Sequence, residues 1–435
     1  MKGVPVTETW DSIDRYIAIS SDSHAGADLR DYRPYLAAKY HDEFDAWADT
    51  YESPYDDLIH HTAHRNWDSD FRIEEMDADG VSAEIIIPNT VPPFFPTSAL
   101  IVVSLPRNRE EFEYRWAGVQ AHNRWVADFV AQEPVRRRGL LQLFPNDVDA
   151  ALDEMRWAAG TGAFGGILLV PVPPGHPVHP FYHECYEPLW SLCEELDWPV
   201  AVHNGTAPDM PMDQLASKTL VLLKGGVSKE MMITDMLVAG VFERHPNLKM
   251  VPTEEGLNWL RIAHGLDISL AAMRSDATNR TMGQFGGPHI DMQTLKPSEY
   301  VKRQVYWGIS GPAAVPANVA MRSEVGADKL LWGTDYPHEE GTTPHSKQLI
   351  RWLFHEVSEE DTRKILGGNI AGLYGFDLDA LTPIAKRIGP VVAEVHTPFT
   401  AADIAEQWNP ISEWMDRPYA GGALLERGRA ADADF

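Results

Sequence analysis

The sequence predicts a (β/α)8 barrel, in which eight parallel strands alternate with helices. Short apolar, β-branched runs recur along most of the chain, helix-like segments separate them, and eight such runs are the number that closes this barrel. The predicted strands are residues 16–20, 83–88, 139–144, 166–171, 199–203, 248–252, 305–309 and 330–333. We therefore expect the barrel to occupy residues 14–378.

Helices are clearest between the middle strands. Residues 147–157 begin with an acidic turn and carry apolar residues at helical spacing. Residues 186–196 show the apolar stripe of a helix that packs on a sheet. Both patterns predict helices on the outside of the barrel.

Two connections are longer than the usual loop of about 2–6 residues between a strand and a helix. Residues 25–72 follow the first strand, and residues 269–300 follow the sixth strand, with room for a helix before them. Loops that follow barrel strands lie on the active-site face, so both insertions are expected to form lids or pocket walls. A dimer contact is the alternative. Residues 379–435 leave the periodic pattern and are expected to form a C-terminal extension.

The composition narrows the class of protein. The chain has 435 residues and a formal net charge of −27, which disfavours nucleic acid and anionic membranes as partners. Its hydrophobic content of 44% is that of a globular protein, and no apolar run approaches the ~18 residues that span a bilayer. No apolar signal core begins the chain, and two cysteines, Cys185 and Cys193, suit a reducing compartment. We therefore expect a cytoplasmic protein.

Side chains that can bind a metal follow four of the predicted strands. They are Asp22 and His24 after the first strand, His203 after the fifth, Glu254 after the sixth, and Asp335 and His338 after the eighth. Because the C-terminal ends of barrel strands surround one mouth, these side chains are expected to converge. Two imidazoles and two carboxylates suffice for a divalent metal with an open position for water. The alternative is that each residue caps a helix or bonds to a loop.

The segments that carry these residues resemble the amidohydrolase superfamily, and within it the aminocarboxymuconate-semialdehyde-decarboxylase-like group of amidohydrolase-related proteins. The resemblance spans residues 17–375 and is carried by the strings SSDSHAG, PLWSLCEELDWPVAVHNG, GVFERHPNLKMVPTEEGLNWL, LLWGTDYPHEEG and KILGGNIAGLYG. It implies a (β/α)8 barrel with one catalytic divalent metal bound by Asp22, His24, His203 and Asp335. Zinc is the first expectation, with manganese or iron as alternatives. The resemblance also implies that Asp335 handles the proton of the attacking water or of the substrate.

The sequence departs from the pattern of this family at two positions. Asp22 stands where the first motif usually has a histidine, and this second carboxylate favours Mn²⁺ or Fe²⁺ relative to Zn²⁺. Glu254 stands where many relatives have a catalytic histidine. A buried glutamate can act as a general acid or base, or as an extra metal ligand, and these roles for Glu254 remain open. His338 is a candidate helper in catalysis, or a plain loop residue.

The first functional prediction is a metal-dependent hydrolase, in which a metal-activated water attacks a small substrate. The alternative is a non-oxidative decarboxylase for an aromatic or unsaturated carboxylic acid. Such an enzyme should present an arginine to a second acidic group of the substrate, and the candidates are Arg72, Arg274 and Arg280. The third hypothesis is a catalytically inactive barrel that only binds a ligand.

Aromatic residues in the insertions bear on the substrate. They are Trp47, Tyr51, Tyr55, Trp67 and Phe285. They indicate a cyclic or aromatic substrate, or they simply pack the insertions. The expected assembly is a homodimer.

Overall fold

The computed structural model describes residues 9–52, 62–89, 91–96, 105–203, 217–254, 259–277, 280–338 and 340–398. Its strands are β1 (Ile19–Ala25), β2 (Ala83–Pro88), β3 (Arg137–Gln142), β4 (Phe164–Leu169), β5 (Val200–Val202), β6 (Met250–Pro252), β7 (Trp307–Ile309) and β8 (Leu330–Trp332). All neighbouring strands are parallel; β1 to β6 form one sheet in chain order, and β7 pairs with β8.

Hydrogen bonds at two seams close these strands into a barrel. The amide of Tyr306, just before β7, donates to the carbonyl of Met250 in β6 over 2.8 Å. At the other seam, the amide of Asp335, just after β8, donates to the carbonyl of Asp22 in β1 over 2.8 Å. The predicted (β/α)8 barrel is therefore confirmed.

Helices lie around the barrel and at its ends. They are α1 (His41–Thr50), α2 (Ser69–Asp79), α3 (Arg109–Gln132), α4 (Val148–Thr161), α5 (Glu187–Glu195), α6 (Ser217–Val238), α7 (Val241–Arg244), α8 (Trp259–Met273), α9 (Arg280–Gly283), α10 (Pro288–Asp291), α11 (Pro297–Gln304), α12 (Pro316–Ala320), α13 (Arg322–Val325), α14 (Ser346–Phe354), α15 (Glu359–Arg363), α16 (Asn369–Tyr374), α17 (Leu378–Ile388) and α18 (Val392–Val395). Helices α4 and α5 confirm the two predicted helices. Helix α4 begins where the acidic turn predicted it, because the Asp147 carboxylate accepts a hydrogen bond from the amide of Ala150 over 3.1 Å.

Alternate side chains of the strands build two layers of apolar core. On β5, Val200 and Val202 belong to the layer between the sheet and the helices, whereas Ala201 belongs to the barrel interior. On β8, Leu331 is the interior residue. Apolar residues of α16 and α17 join this interior and close the N-terminal end of the barrel. Side chains at even spacing beyond Ala201 and Leu331 therefore reach the open, C-terminal mouth.

The first strand differs from its predicted bounds. Residues 16–20 were predicted, whereas β1 is Ile19–Ala25, so Asp22 and His24 lie within the strand rather than after it. Polar side chains end the apolar pattern early, but the backbone of His24 still pairs with Ile87 of β2. Hydropathy does not report backbone pairing, and this explains the difference.

The described part of the insertion after the sixth strand does not form a lid. Helix α8 runs back along the barrel after β6, so the chain that follows α8 starts from the end opposite the mouth. There the side-chain amide of Gln293 donates to the carbonyl of Val238 over 3.0 Å. The side-chain amide of Gln304 donates to the carbonyl of Leu248, just before β6, over 3.1 Å. The prediction of a lid is therefore wrong for this segment, because a helix carries the chain away from the mouth.

The first insertion lies beside the mouth. The amide of Gly26, directly after β1, donates to the carbonyl of Asn66 over 3.2 Å. Trp47 and Tyr51 pack on each other with ring centroids 4.9 Å apart, which favours the packing role for these aromatic residues. Tyr55 lies outside the described residues, and Phe285 of the other insertion is 64% exposed.

The described part of the predicted C-terminal extension packs against the start of the barrel. The amide of Tyr16 donates to the carbonyl of Pro390, between α17 and α18, over 2.9 Å. Residues 399–435 lie outside the described ranges, and the predicted domain bounds and homodimer stay predictions. In the part of the chain that the structure describes, no helix has the length and apolar character needed to cross a bilayer.

Candidate metal centre

The structure brings the predicted site residues together at the barrel mouth. Nε2 of His24 lies 3.3 Å from Oδ1 of Asp22 and 3.2 Å from Oδ1 of Asp335. Nε2 of His203 lies 3.8 Å from Oδ1 of Asp22 and 3.4 Å from Oε2 of Glu254. Strands β1, β5, β6 and β8 therefore deliver these groups to one point, as the strand-end rule predicted.

His338, the sixth predicted residue, is held against this group. Its Nδ1 lies 2.9 Å from Oδ1 of Asp335, and its ring stacks on that of His24 with centroids 4.2 Å apart. Its Nε2 lies 3.1 Å from the side-chain oxygen of Asn89, whose amide nitrogen donates to Asn66 over 2.5 Å. The imidazole is therefore fixed at both nitrogens beside Asp335.

Three buried polar atoms at the centre of the site make no hydrogen bond within the described ranges. They are Oδ1 of Asp22, Nε2 of His24 and Oδ2 of Asp335. Buried polar atoms in folded proteins are nearly always bonded, so this convergence calls for a missing partner. Ligand atoms of Asp22, His24 and His203 lie within 4.8 Å of one another, which suits a shared ion. The site can therefore hold a divalent metal.

The electrostatics of the site favour positive charge at its centre. Burial, and then the charges of Asp335 and Asp22, raise the pKa of Glu254 to about 8. Burial also opposes ionisation of Asp335, but the charge of His338 and the contact with His24 hold its pKa below the usual range. Burial acts to lower the pKa of His24, yet the carboxylates of Asp22 and Asp335 raise it well above its usual value. A cation among the carboxylates would relieve their mutual repulsion.

Two of the site residues have backbone conformations that are uncommon for residues other than glycine. Glu254 has φ of 50° and Asp335 has φ of 59°, both in the left-handed region. Each lies shortly after the end of a barrel strand, Glu254 after β6 and Asp335 after β8. Such strain collects at functional sites, where surrounding contacts hold it.

Sequence reasoning missed several residues that support the site. Oγ of Ser310 donates to Oδ2 of Asp22 over 2.5 Å, and Nζ of the buried Lys229 donates to the carbonyl of Thr253 over 2.6 Å. Ser310 directly follows β7, and Asn89 directly follows β2, so the strand-end rule applied to every strand would have found both. Lys229 comes from α6, and no pattern in the sequence marks it.

Arg72 does not face the substrate space, contrary to its predicted candidacy. Its Nη1 donates to the carbonyl of His24 over 2.7 Å, and its Nη2 donates to Oε2 of Glu84 over 2.7 Å. Its side chain has no exposed surface. The buried pair instead holds the backbone of β1 at His24. Arg274 donates to the carbonyl of Gln293 over 3.2 Å, away from the mouth, and the side chain of Arg280 lies outside the described residues.

Comparison with known proteins places the chain in a family. A family model described as Amidohydrolase matches residues 86–376. The chain belongs to this family. The amidohydrolase resemblance seen in the sequence is thereby confirmed, and so is the prediction that the protein is an enzyme.

Curated relatives align with most of the chain. A gamma-resorcylate decarboxylase from Polaromonas is 24% identical over 317 residues, which are 70% of this chain and 86% of that protein. A 2-amino-3-carboxymuconate-6-semialdehyde decarboxylase from Dictyostelium discoideum is 25% identical over 323 residues, 72% of this chain and 77% of that protein.

Solved structures share the fold. The 5-carboxyvanillate decarboxylase from Sphingomonas paucimobilis has a TM-score of 0.63 at 18% identity and covers 83% of this chain and 100% of its own. A dihydroxybenzoic acid decarboxylase from Polaromonas was solved with manganese and 2-nitroresorcinol and has a TM-score of 0.58 at 20% identity. The match covers 82% of this chain and 97% of that protein. These likenesses agree with the barrel of the present chain.

Proposed function

We propose that this amidohydrolase is a metal-dependent decarboxylase that acts on a small aromatic carboxylic acid. The observation that carries the proposal is the alignment of two differently specialised decarboxylases with 70% and 72% of the chain. This favours the alternative functional prediction over hydrolysis, which the sequence placed first. The residues of the site did not separate the two reactions, because both use the same metal-binding barrel.

The proposed metal ligands are Asp22, His24, His203 and Asp335. The buried, unbonded atoms of Asp22, His24 and Asp335 support this assignment, and Nε2 of His203 completes the group. Carboxylates suit Mn²⁺, and a related decarboxylase structure contains manganese. We therefore propose Mn²⁺ in place of the zinc that the sequence placed first.

The proposed reaction breaks the bond between a ring carbon and the carboxylate carbon of the substrate. The electron pair stays on the ring carbon, a proton takes the place of the carboxylate, and carbon dioxide leaves. A bound divalent cation would supply a template that orients the acidic substrate beside the proton carriers. Asp335 and His338 are the proposed proton carriers, because Oδ1 of Asp335 lies 2.9 Å from Nδ1 of His338 and its Oδ2 is not hydrogen-bonded within the described residues. Asp335 has no exposed surface, whereas the side chain of His338 is partly exposed.

The experiment measures carbon dioxide released from aromatic carboxylic acids, starting with 2,6-dihydroxybenzoate and 5-carboxyvanillate. Protein freed of metal by chelation and then reloaded with Mn²⁺ should regain activity that the metal-free protein lacks. Aromatic esters and amides are tested in parallel for hydrolysis. Metal-dependent hydrolysis without carbon dioxide release from any acid would contradict the proposal and restore the hydrolase.

A further inference from the structure

Glu254 lies within the cluster of candidate metal ligands. Its side chain is 10% exposed, and its Oε2 is 3.4 Å from Nε2 of His203. Carboxylate oxygens of Asp22, Glu254 and Asp335 all lie within 4.8 Å of one another. Two ligands held at about 2.2 Å from one ion are separated by at most about 4.4 Å, so these three carboxylates need only small shifts to share one.

A glycine allows this approach. Gly311 follows β7 and has φ of 47°; a Cβ there would lie 2.8 Å from Oδ2 of Asp335 and 3.2 Å from Oε1 of Glu254. Any other residue at this position would push the two carboxylates away from their present positions. The absence of a side chain at Gly311 therefore leaves room for both carboxylates to lie side by side.

The carboxylates of this group repel one another unless positive charge lies between them. Asp22 and Asp335 have no exposed side-chain surface, and buried like charges at this distance repel strongly. Lys229 supplies one buried ammonium nearby, whose charge acts to lower the pKa of Glu254 and whose Nζ donates to the carbonyl of Thr253. Oδ1 of Asp22 and Oδ2 of Asp335 make no hydrogen bond in the described residues, so both are available to an ion.

We propose that Glu254 is itself a ligand of the metal in this chain and that it makes the site selective for Mn²⁺ over Zn²⁺. The inference rests on the metal centre of the proposed function. The resulting set has three carboxylates and two imidazoles from the protein. Zinc is usually four-coordinate and favours nitrogen and sulfur, whereas oxygen-rich sets of higher coordination number suit manganese. The residue that departs from the histidine-bearing relatives would thus set the choice of metal.

The test titrates metal-free protein with Mn²⁺ and with Zn²⁺ in competition with a fluorescent chelator. Native protein is compared with Glu254→Gln, which keeps the size of the side chain and removes its charge. Mn²⁺ affinity should fall by roughly 10-fold or more and Zn²⁺ affinity should fall less. The electron paramagnetic resonance spectrum of bound Mn²⁺ should also change. Glu356→Gln alters a carboxylate that is 88% exposed and is the matched control.

The outcomes separate this inference from the proposed function. Native protein that binds neither ion would overturn both. Unchanged affinities and an unchanged Mn²⁺ spectrum in Glu254→Gln would overturn the inference and leave the decarboxylase standing. An equal loss of affinity for Mn²⁺ and Zn²⁺ in Glu254→Gln would overturn the proposed role of Glu254 in metal selectivity. If Glu254→Gln does not fold, Glu254→His is titrated instead, and its nitrogen should shift the preference toward Zn²⁺; a preference that stays with Mn²⁺ would contradict the inference.

Discussion

His122 on α3 ties stability to pH through a buried neutral imidazole. It has no exposed surface, and its Nδ1 lies 2.8 Å from the hydroxyl of Tyr32. Burial lowers its pKa from 6.5 to about 3. At pH 5 the folded protein therefore keeps this ring neutral, whereas the unfolded chain protonates it. Because the unfolded state binds more protons, stability falls as the pH drops through 6.5 and toward 3.

The expected loss can be worked out from these pKa values. Between pH 7 and pH 5, proton uptake by the unfolded chain at this residue favours unfolding by about 2 kcal/mol. Urea unfolding of the native protein and of His122→Asn, followed by tryptophan fluorescence at both pH values, measures the effect. The free energy of unfolding of His122→Asn should fall by about 2 kcal/mol less than that of the native protein. His264→Asn, a change at a half-exposed side chain, is the control for the substitution. Parallel losses in the native protein and His122→Asn would refute the reasoning.

Two further substitutions test the site and its support. Asp335→Asn should lower kcat by about 10²–10⁴-fold, because an amide cannot carry the proton. The assay measures carbon dioxide release together with the metal content of the variant. Near-normal turnover by a metal-loaded variant would show that another residue transfers the proton. Glu84→Gln should lower the free energy of unfolding by about 3–5 kcal/mol, since it leaves the buried guanidiniums of Arg72 and Arg137 without their carboxylate. Urea unfolding compares Glu84→Gln with Glu360→Gln, which changes a carboxylate that is 79% exposed. Equal stability of the two variants would contradict the stabilising role of Glu84 between the two arginines.

The barrel was predictable where strands are buried on both faces. Residues 83–88 were predicted at the bounds that β2 has, because three consecutive isoleucines at 85–87 mark a buried strand although Glu84 lies within it. The end of β1 was not predictable in this way, since Asp22 and His24 break the run while the backbone stays paired. The second insertion was placed at the wrong end of the barrel because hydropathy does not show that α8 reverses the direction of the chain.

The members of the candidate site were predictable for the same topological reason. A barrel gathers the ends of its strands at one mouth, so His203, Glu254 and Asp335 meet although they are far apart in the sequence. Arg72 and Lys229 reach the site from helices, and their approach depends on packing that no sequence spacing encodes. The left-handed turn at Glu254 likewise depends on its surroundings. The roles of all these residues in binding and catalysis stay predictions until the experiments are done.

The seam between the first and last strands has a consequence for how the protein matures. The amide of Thr334 donates to Oγ of Ser20 over 2.8 Å across 314 positions of the chain, and the neighbouring amide of Asp335 reaches Asp22. The proposed ligands Asp22 and Asp335 thus stand on opposite sides of the line where the ring is joined. Joining β1 to β8 closes a long segment of chain, which has an entropic cost. An ion bound by both Asp22 and Asp335 would stabilise this junction and offset part of that cost. Barrel closure and metal binding would then be coupled. Removal of the metal by chelation should therefore speed hydrogen exchange of the amides at the seam before it affects those of β2 to β5.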